Sequence, residues 1–220
     1  MVELITGLRA DDVRANLDRV RSEISEAGRD PNEVQILAAV KYVPVDELEV
    51  LADAGLQLLG ENRAQDLVAK AEAHPGRFTW DFIGQLQSRK VKQVLPHVRY
   101  IQTVASDSAL GQLERHGTSS TEVLVEINMA GEAGKSGIAP AELPGFLERC
   151  PVRVVGLMCM PPLADEAEAS RPHFAALREL AGEHGLEHLS MGTSQDYLVA
   201  VQEGATIVRL GTSLYRGGSS

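Results

Sequence analysis

The sequence predicts an α/β protein built as a single (β/α)8 TIM barrel with an additional N-terminal helix. Three observations carry that reading. Eight short apolar runs recur along the 220 residues, with seven segments of helical periodicity between them. The chain length allows about 27 residues for each of eight strand–helix units. The composition, 44% hydrophobic but only 4% aromatic, suits an α/β protein better than an aromatic-rich sandwich. No Pro/Ser/Gly-rich linker interrupts the march, so residues 1–220 read as one domain. A doubly wound open sheet is the alternative, but eight evenly spaced units favour closure.

The chain opens with a helix whose Val13, Leu17, Val20 and Ile24 form one apolar stripe, ended by Gly28. Strands follow at VQILAAV (34–40), QLLG (57–60), WDFIG (80–84), YIQTV (100–104), EVLVEIN (122–128), VVGLMCM (154–160), HLSM (188–191) and TIVRL (206–210). Helices between them start near Val45, Arg63, Ser88, Asp107, Pro140, Arg171 and Ser194. In such a barrel, function sits at the C-terminal ends of the strands. Those ends carry Lys41, then Glu61 with Asn62, Gln85 with Gln87, Thr103, Asn128, and Met158 with Met160. The last two strands run into SMGTSQD (190–196) and RLGTS (209–213).

Charge and composition exclude several classes. A formal charge of −10 argues against nucleic acid and anionic membrane, which need a basic surface. Any phosphate must therefore be captured locally, by backbone amides or one placed arginine. No apolar run is long enough to span a bilayer, and the N-terminus turns charged too early for a secretory signal. Cys150 and Cys159 lack metal-ligand spacing and read as buried thiols, which places the protein in the cytoplasm.

Lys41 is the first puzzle, because a buried strand rarely ends in an ammonium group. The loop after the seventh strand turns on Gly192 and enters a helix with Thr193 or Ser194 as its N-cap, where free N–H groups suit an anion. The eighth strand delivers Gly211, which lets the backbone approach a ligand, and the Thr212 hydroxyl. Loops after strands seven and eight often build a phosphate site in this fold. Arg209 alternates onto the same side as Gly211. An imine-forming lysine, a phosphate cup and an arginine between them point to pyridoxal 5'-phosphate. Its aldehyde would join Lys41, and its ring nitrogen would face Arg209, a group that only donates hydrogen bonds and opposes pyridinium formation.

The motifs AAVKYVP, GENRAQD, FIGQLQSRK, VLVEINMAGEAGKSGI, GLMCMPP, LSMGTSQDYLVAVQEGAT and VRLGTSLYRG together cover nearly the whole chain. In them the sequence resembles the pyridoxal phosphate homeostasis proteins, which are similar to the barrel domain of bacterial alanine racemases. The resemblance implies the cofactor on Lys41, phosphate contacts from Ser194, Gly211 and Thr212, Arg209 at the ring nitrogen, and Asn62 near the ring. It also implies buffering or delivery of the cofactor without strong catalysis, with transient contact to pyridoxal-phosphate-dependent apo-enzymes. The chain departs from the family pattern where Asp81 replaces a common histidine and where QSNK reads Gln87-Ser88-Arg89-Lys90, which touches loop-three contacts.

Other motifs are set aside. HGLEH (184–188) matches a zinc-peptidase pattern, but Gly185 breaks the helix it needs and His188 opens a strand, so no metal is expected. His74, His97, His116 and His173 read as solvated. GEAGKSG (131–137) lacks the first glycine of a nucleotide-binding loop, at Met129, although it could fold over the barrel mouth with Lys135 as an accessory contact. Two rival functions stand beside the carrier. A weak amino-acid racemase would need a second base such as a tyrosine. Tyr42 is expected to point away from Lys41's side if the strand continues that far, Tyr197 and Tyr215 stay open, and with the chain ending at Ser220 no added domain is expected, which favours a monomer. A cofactor-free aldolase would need Glu61 or Glu126 as base beside the lysine.

Overall fold

The computed structural model describes residues 4–215, so both ends of the 1–220 reading and the last two residues of VRLGTSLYRG lie outside it. Helix α1 (Ala10–Glu26) buries Val13, Leu17, Val20 and Ile24, the stripe marked out by its periodicity. The strands then follow as β1 (Gln35–Ala39), β2 (Leu58–Glu61), β3 (Thr79–Phe82), β4 (Tyr100–Val104), β5 (Glu122–Glu126), β6 (Arg153–Met158), β7 (His188–Thr193) and β8 (Ile207–Leu210). They pair in chain order, all parallel, and β1 closes on β8. The barrel is therefore closed, and every expected strand is present within a few residues of its expected bounds.

The helices on the outside are α2 (Leu48–Asp53), α3 (Ala64–Ala73), α4 (Val91–Val94), α5 (Asp107–His116), α6 (Leu143–Arg149), α7 (Arg171–Glu183), α8 (Tyr197–Gln202) and α9 (Thr212–Tyr215). Helical segments expected at Val45, Ser88 and Pro140 open there as short 3-10 turns before α2, α4 and α6. The helix expected from Ser194 is a correction, because β7 continues to Thr193 and α8 starts only at Tyr197. The cause is local: the Asp196 carboxylate accepts from the Thr193 N–H at 2.7 Å and its hydroxyl at 3.1 Å, holding a turn where a helix would begin. No helix of the described residues is long and apolar enough to cross a membrane.

The larger apolar core lies between strands and helices. A smaller one, with Leu37, Tyr100, Leu124, Val155, Met158 and Ile207, fills the barrel interior. His74 also departs from its solvated reading: its ring nitrogens bind the Glu49 carboxylate at 3.0 Å and the Val45 carbonyl at 2.9 Å, edge-on to Phe78.

One charged contact sits inside this apolar frame. Glu61, at the end of β2, is fully buried, and Lys70 on α3 nearly so. The Lys70 Nζ lies 2.6 Å from the Glu61 carboxylate and 2.6 Å from the Val40 carbonyl. A buried pair adds little over a well-packed apolar pair, but losing one member strands the other. Lys70→Met should therefore cost about 3–5 kcal/mol in urea unfolding. The double variant Glu61→Leu/Lys70→Met should recover most of that loss; equal losses in both would remove the stranded-charge explanation.

Candidate functional site

A cleft of about 570 Å³ opens at the C-terminal ends of the strands, and Lys41, Asn62, Ser194, Arg209, Gly211 and Thr212 all line it. Ala39, Gly84, Thr103, Met158 and Tyr215 complete much of its wall. Six residues spread over some 170 positions of chain are thus brought to one rim, as barrel closure requires.

Lys41 is exposed on the turn just after β1. Its backbone is held from both sides: Lys70 and the Val43 N–H donate to the Val40 carbonyl, and the Ile5 N–H donates to the Tyr42 carbonyl at 2.8 Å. The condition for Tyr42 to point away is not met, because β1 ends at Ala39 and alternation does not reach so far. The Lys41 ammonium instead sits 5.0 Å from the Tyr42 ring centroid, within range of a cation–π contact.

Asn62 is set by its neighbours. Its N–H donates to the Glu61 carboxylate at 2.7 Å. A Cβ on Gly84 would lie 1.9 Å from the Asn62 carbonyl oxygen, so only glycine lets these two loops touch. The Thr103 hydroxyl donates to the Gly84 carbonyl at 2.6 Å and locks the third loop in turn.

The anion cup does not use the terminus of α8, which begins beyond Ser194; it is made by the turn after β7 and by the short first turn of α9 at Gly211–Ser213. Gly192, with φ +91°, reverses the chain; a Cβ there would fall 2.6 Å from the Ala200 side chain. The N–H groups of Gly211 and Ser213 then converge on the Ser194 hydroxyl at 3.3 and 3.4 Å, and the Ser213 hydroxyl lies 3.0 Å from it. Two backbone donors sharing one neutral oxygen at long range form a weak arrangement that an anion would improve. A Cβ on Gly211 would meet nothing nearer than Ala39 at 3.9 Å, so the protein's own packing does not demand glycine there. Room is left for a bound group.

Arg209 is buried in the cleft wall. Its guanidinium donates to the Ser190 hydroxyl at 2.6 Å, the Cys159 carbonyl at 2.9 Å and the Met160 sulfur at 2.9 Å. Burial pushes its pKa down, opposed by Cys159, Asp196 and Glu126. The donor set, a primary amine, paired backbone N–H groups and an arginine in one cleft, fits an aldehyde-bearing aromatic phosphate.

Other residues of the strand-end reading lie elsewhere. Glu61 is buried beneath the rim against Lys70. Gln87 pairs with Arg89, and Asn128 ties down its own loop through the Glu132 backbone at 2.9 and 3.3 Å. Asp81 lies on β3, within the strand expected at 80–84, wholly buried and forked by Arg99. The Tyr197 phenol bonds Glu23 on α1, while Tyr215 lines the cleft and donates to the Ala39 carbonyl at 3.3 Å. Ser213 is the cup member that the motif LGTS contained without being assigned. The loop with Lys135 and Ser136 does fold over the mouth, walling a neighbouring pocket of about 290 Å³ beside Arg209.

The chain matches the family described as alanine racemase, N-terminal domain, over residues 8–218. It is 38% identical over 213 residues to the pyridoxal phosphate homeostasis protein of Aquifex aeolicus, covering 90% of this chain and 93% of that one. PipY of Synechococcus elongatus, solved without and with PLP bound, superposes with TM-scores of 0.81 and 0.78 at 31% identity. Both comparisons cover 93% of this chain and all of PipY.

Glu126 was named only as an aldolase base; it lines the cleft, accepts from the Ser136 hydroxyl at 2.7 Å, and is held above its ordinary pKa of 4.5 chiefly by burial. A carboxyl raised in the folded state binds its proton more tightly there, so it costs stability once pH climbs past its folded pKa. Glu126→Gln should then raise the unfolding midpoint at neutral pH. That gain should fade as pH falls below about 4.5, the ordinary glutamate value, because the carboxyl is then protonated in the unfolded chain as well as in the native one. A gain that persisted at pH 4 would contradict the assignment.

Proposed function

Because this chain belongs to the family of the pyridoxal phosphate homeostasis proteins, we propose that it binds pyridoxal 5'-phosphate as a Schiff base on Lys41 and buffers or delivers it. The observation that carries this reading is the convergence of Lys41, the Ser194–Gly211–Ser213 donor cup and Arg209 on one cleft. When bound, the cofactor supplies an aldehyde for a lysine amine and an aromatic ring able to withdraw electrons. The protein's own part is to hold it. Lys41 provides the amine on an exposed turn, Ser194, Gly211 and Thr212 receive the phosphate, and Asn62 borders the ring. Arg209 donates at the ring nitrogen, and a group that only donates disfavours a protonated ring and so restrains carbanion chemistry.

The same reading takes residues 1–220 as a single pyridoxal-phosphate-binding domain, monomeric and cytoplasmic, meeting apo-enzymes only in passing. The charge of −10 supports partners other than nucleic acid or anionic membrane. Tyr215 and Glu126, candidate bases of the racemase and the aldolase, do line the cleft, but Tyr215 donates to the Ala39 carbonyl and Glu126 accepts from Ser136. Glu61, one candidate base of the aldolase, is committed to Lys70.

The test is an absorbance spectrum of the purified protein with added cofactor, before and after borohydride, followed by peptide mass mapping. A yellow band and a reduced adduct on Lys41 are expected, and Lys41→Ala should lose the adduct while keeping some phosphate-driven binding. An adduct on another lysine would overturn the anchor, and no uptake at all would overturn the reading. Gly211→Ala should weaken cofactor binding about tenfold or more, as a methyl group forced into a filled site does. Its unfolding midpoint should not change, since the side chain meets no protein atom closer than 3.9 Å.

A further inference from the structure

Barrel interiors of this kind are filled mainly by branched apolar side chains. Here a string of polar groups crosses the interior instead. It starts at Arg209 on β8, which donates to the Ser190 hydroxyl on β7 at 2.6 Å. Ser190 donates to the Gln102 amide oxygen on β4 at 2.6 Å, and the Gln102 amide nitrogen donates to the Asp81 carboxylate on β3 at 2.7 Å. Arg99, just before β4, closes the string with a fork onto Asp81 at 3.1 and 2.8 Å and a further bond to Gln35 at 2.6 Å. Asp81, Gln102 and Ser190 are wholly buried.

The direction of every bond in this string follows from its Asp81 end. Burial pushes the Asp81 pKa up, but Arg99 opposes it and donates to both carboxylate oxygens, so the group serves as an acceptor only. Gln102 must therefore turn its NH2 toward Asp81 and its oxygen toward Ser190. Ser190 must then spend its one hydrogen on Gln102, and has only lone pairs left for Arg209. The flipped amide would set two acceptors against each other at Asp81 and leave the Ser190 hydrogen without its acceptor. In a buried, low-dielectric interior neither fault is relieved by water.

We propose that Asp81 is a positioning residue for Arg209: through Gln102 and Ser190 it fixes the guanidinium in the orientation that presents its remaining donors to the cofactor ring. This rests on the reading of the cleft as a pyridoxal phosphate site. It gives a role to a residue that departs from the family's pattern and touches no part of the cleft. Loss of Asp81 frees the Gln102 amide to turn, and the guanidinium then loses a partner of defined polarity.

Two variants and two readouts test it. Asp81→Asn removes the acceptor-only end, and Ser190→Ala cuts the string while leaving the Asp81–Arg99 fork intact, so the second decides if the first does not fold. In the unliganded protein, 15N NMR of the Arg209 guanidinium should show water exchange about tenfold faster in each variant, the size expected of coupling within one hydrogen-bond network. Added pyridoxal 5'-phosphate should bind about tenfold more weakly to each, no weaker still to the double variant, and equally to Arg209→Gln with or without Asp81→Asn. Unchanged Arg209 exchange in Ser190→Ala would overturn the proposal. So would a loss of affinity from Asp81→Asn that survives in the Arg209→Gln background, because that is general destabilisation. If exchange responds but the parent protein takes up no cofactor, the string stands as a support for Arg209 and the function assigned to the cleft falls.

Discussion

The ion pair between Glu61 and Lys70 is the constraint on which the rim of the barrel depends. Removing two charges from water costs several kcal/mol per ion, and their attraction returns this only when every remaining hydrogen bond is made. Here the bonds are made to the backbone of the site itself. Lys70 holds the Val40 carbonyl, one residue before Lys41, and Glu61 receives the N–H groups of Asn62 and Arg63. One buried contact thus sets where two strand-end turns leave the barrel. Turns of this kind are otherwise the loosest part of a fold. The pair is better understood as fixing geometry than as adding stability.

Opposite it, the anion cup uses no lysine at all. Backbone N–H groups of Gly211 and Ser213 and the hydroxyls of Ser194 and Ser213 supply its donors. That agrees with a chain of net charge −10, where a phosphate gains nothing from the field of the whole protein and must be met at short range. Of the cleft's two cationic side chains, Lys41 and Arg209, only Arg209 is buried, and it is tied to three protein acceptors. Charge in this cleft is placed singly, each with its own support.

Much of this was legible in the residues. Period and spacing mark all eight strands, and reading their ends places Lys41, Asn62, Ser194, Arg209, Gly211 and Thr212 on one cleft before any contact is known. What escaped reading depends on contacts between distant segments. Lys70 in AQDLVAKAEA looks like an ordinary solvated helix lysine, and only the fold brings it under β2. Asp81 reads as a strand residue, and only the fold shows that β3 carries it inward against Arg99. The start of α8 was misplaced because Asp196 reaches back to Thr193, a local competition between turn and helix that periodicity cannot weigh. The side taken by Tyr42 could not be read from alternation, because β1 ends at Ala39 and the turn after it sets the ring.

The exposure of Lys41 bears on the difference between a carrier and an enzyme. A lysine sealed from water would keep an imine for as long as the protein stayed closed, which suits repeated catalysis. Lys41 instead lies on an exposed turn at the edge of an open cleft, with the Tyr42 ring as its neighbour. On the proposed reading, water or an incoming amine could reach the carbon–nitrogen double bond formed there, so the covalent link would stay open to exchange. Arg209 would act in the same sense from the other end of the ring, since a donor there withholds the protonation that strong electron withdrawal needs. A site that binds through a reversible bond and a neutral cup, while disfavouring the ring's most reactive form, would be arranged for keeping and releasing a cofactor.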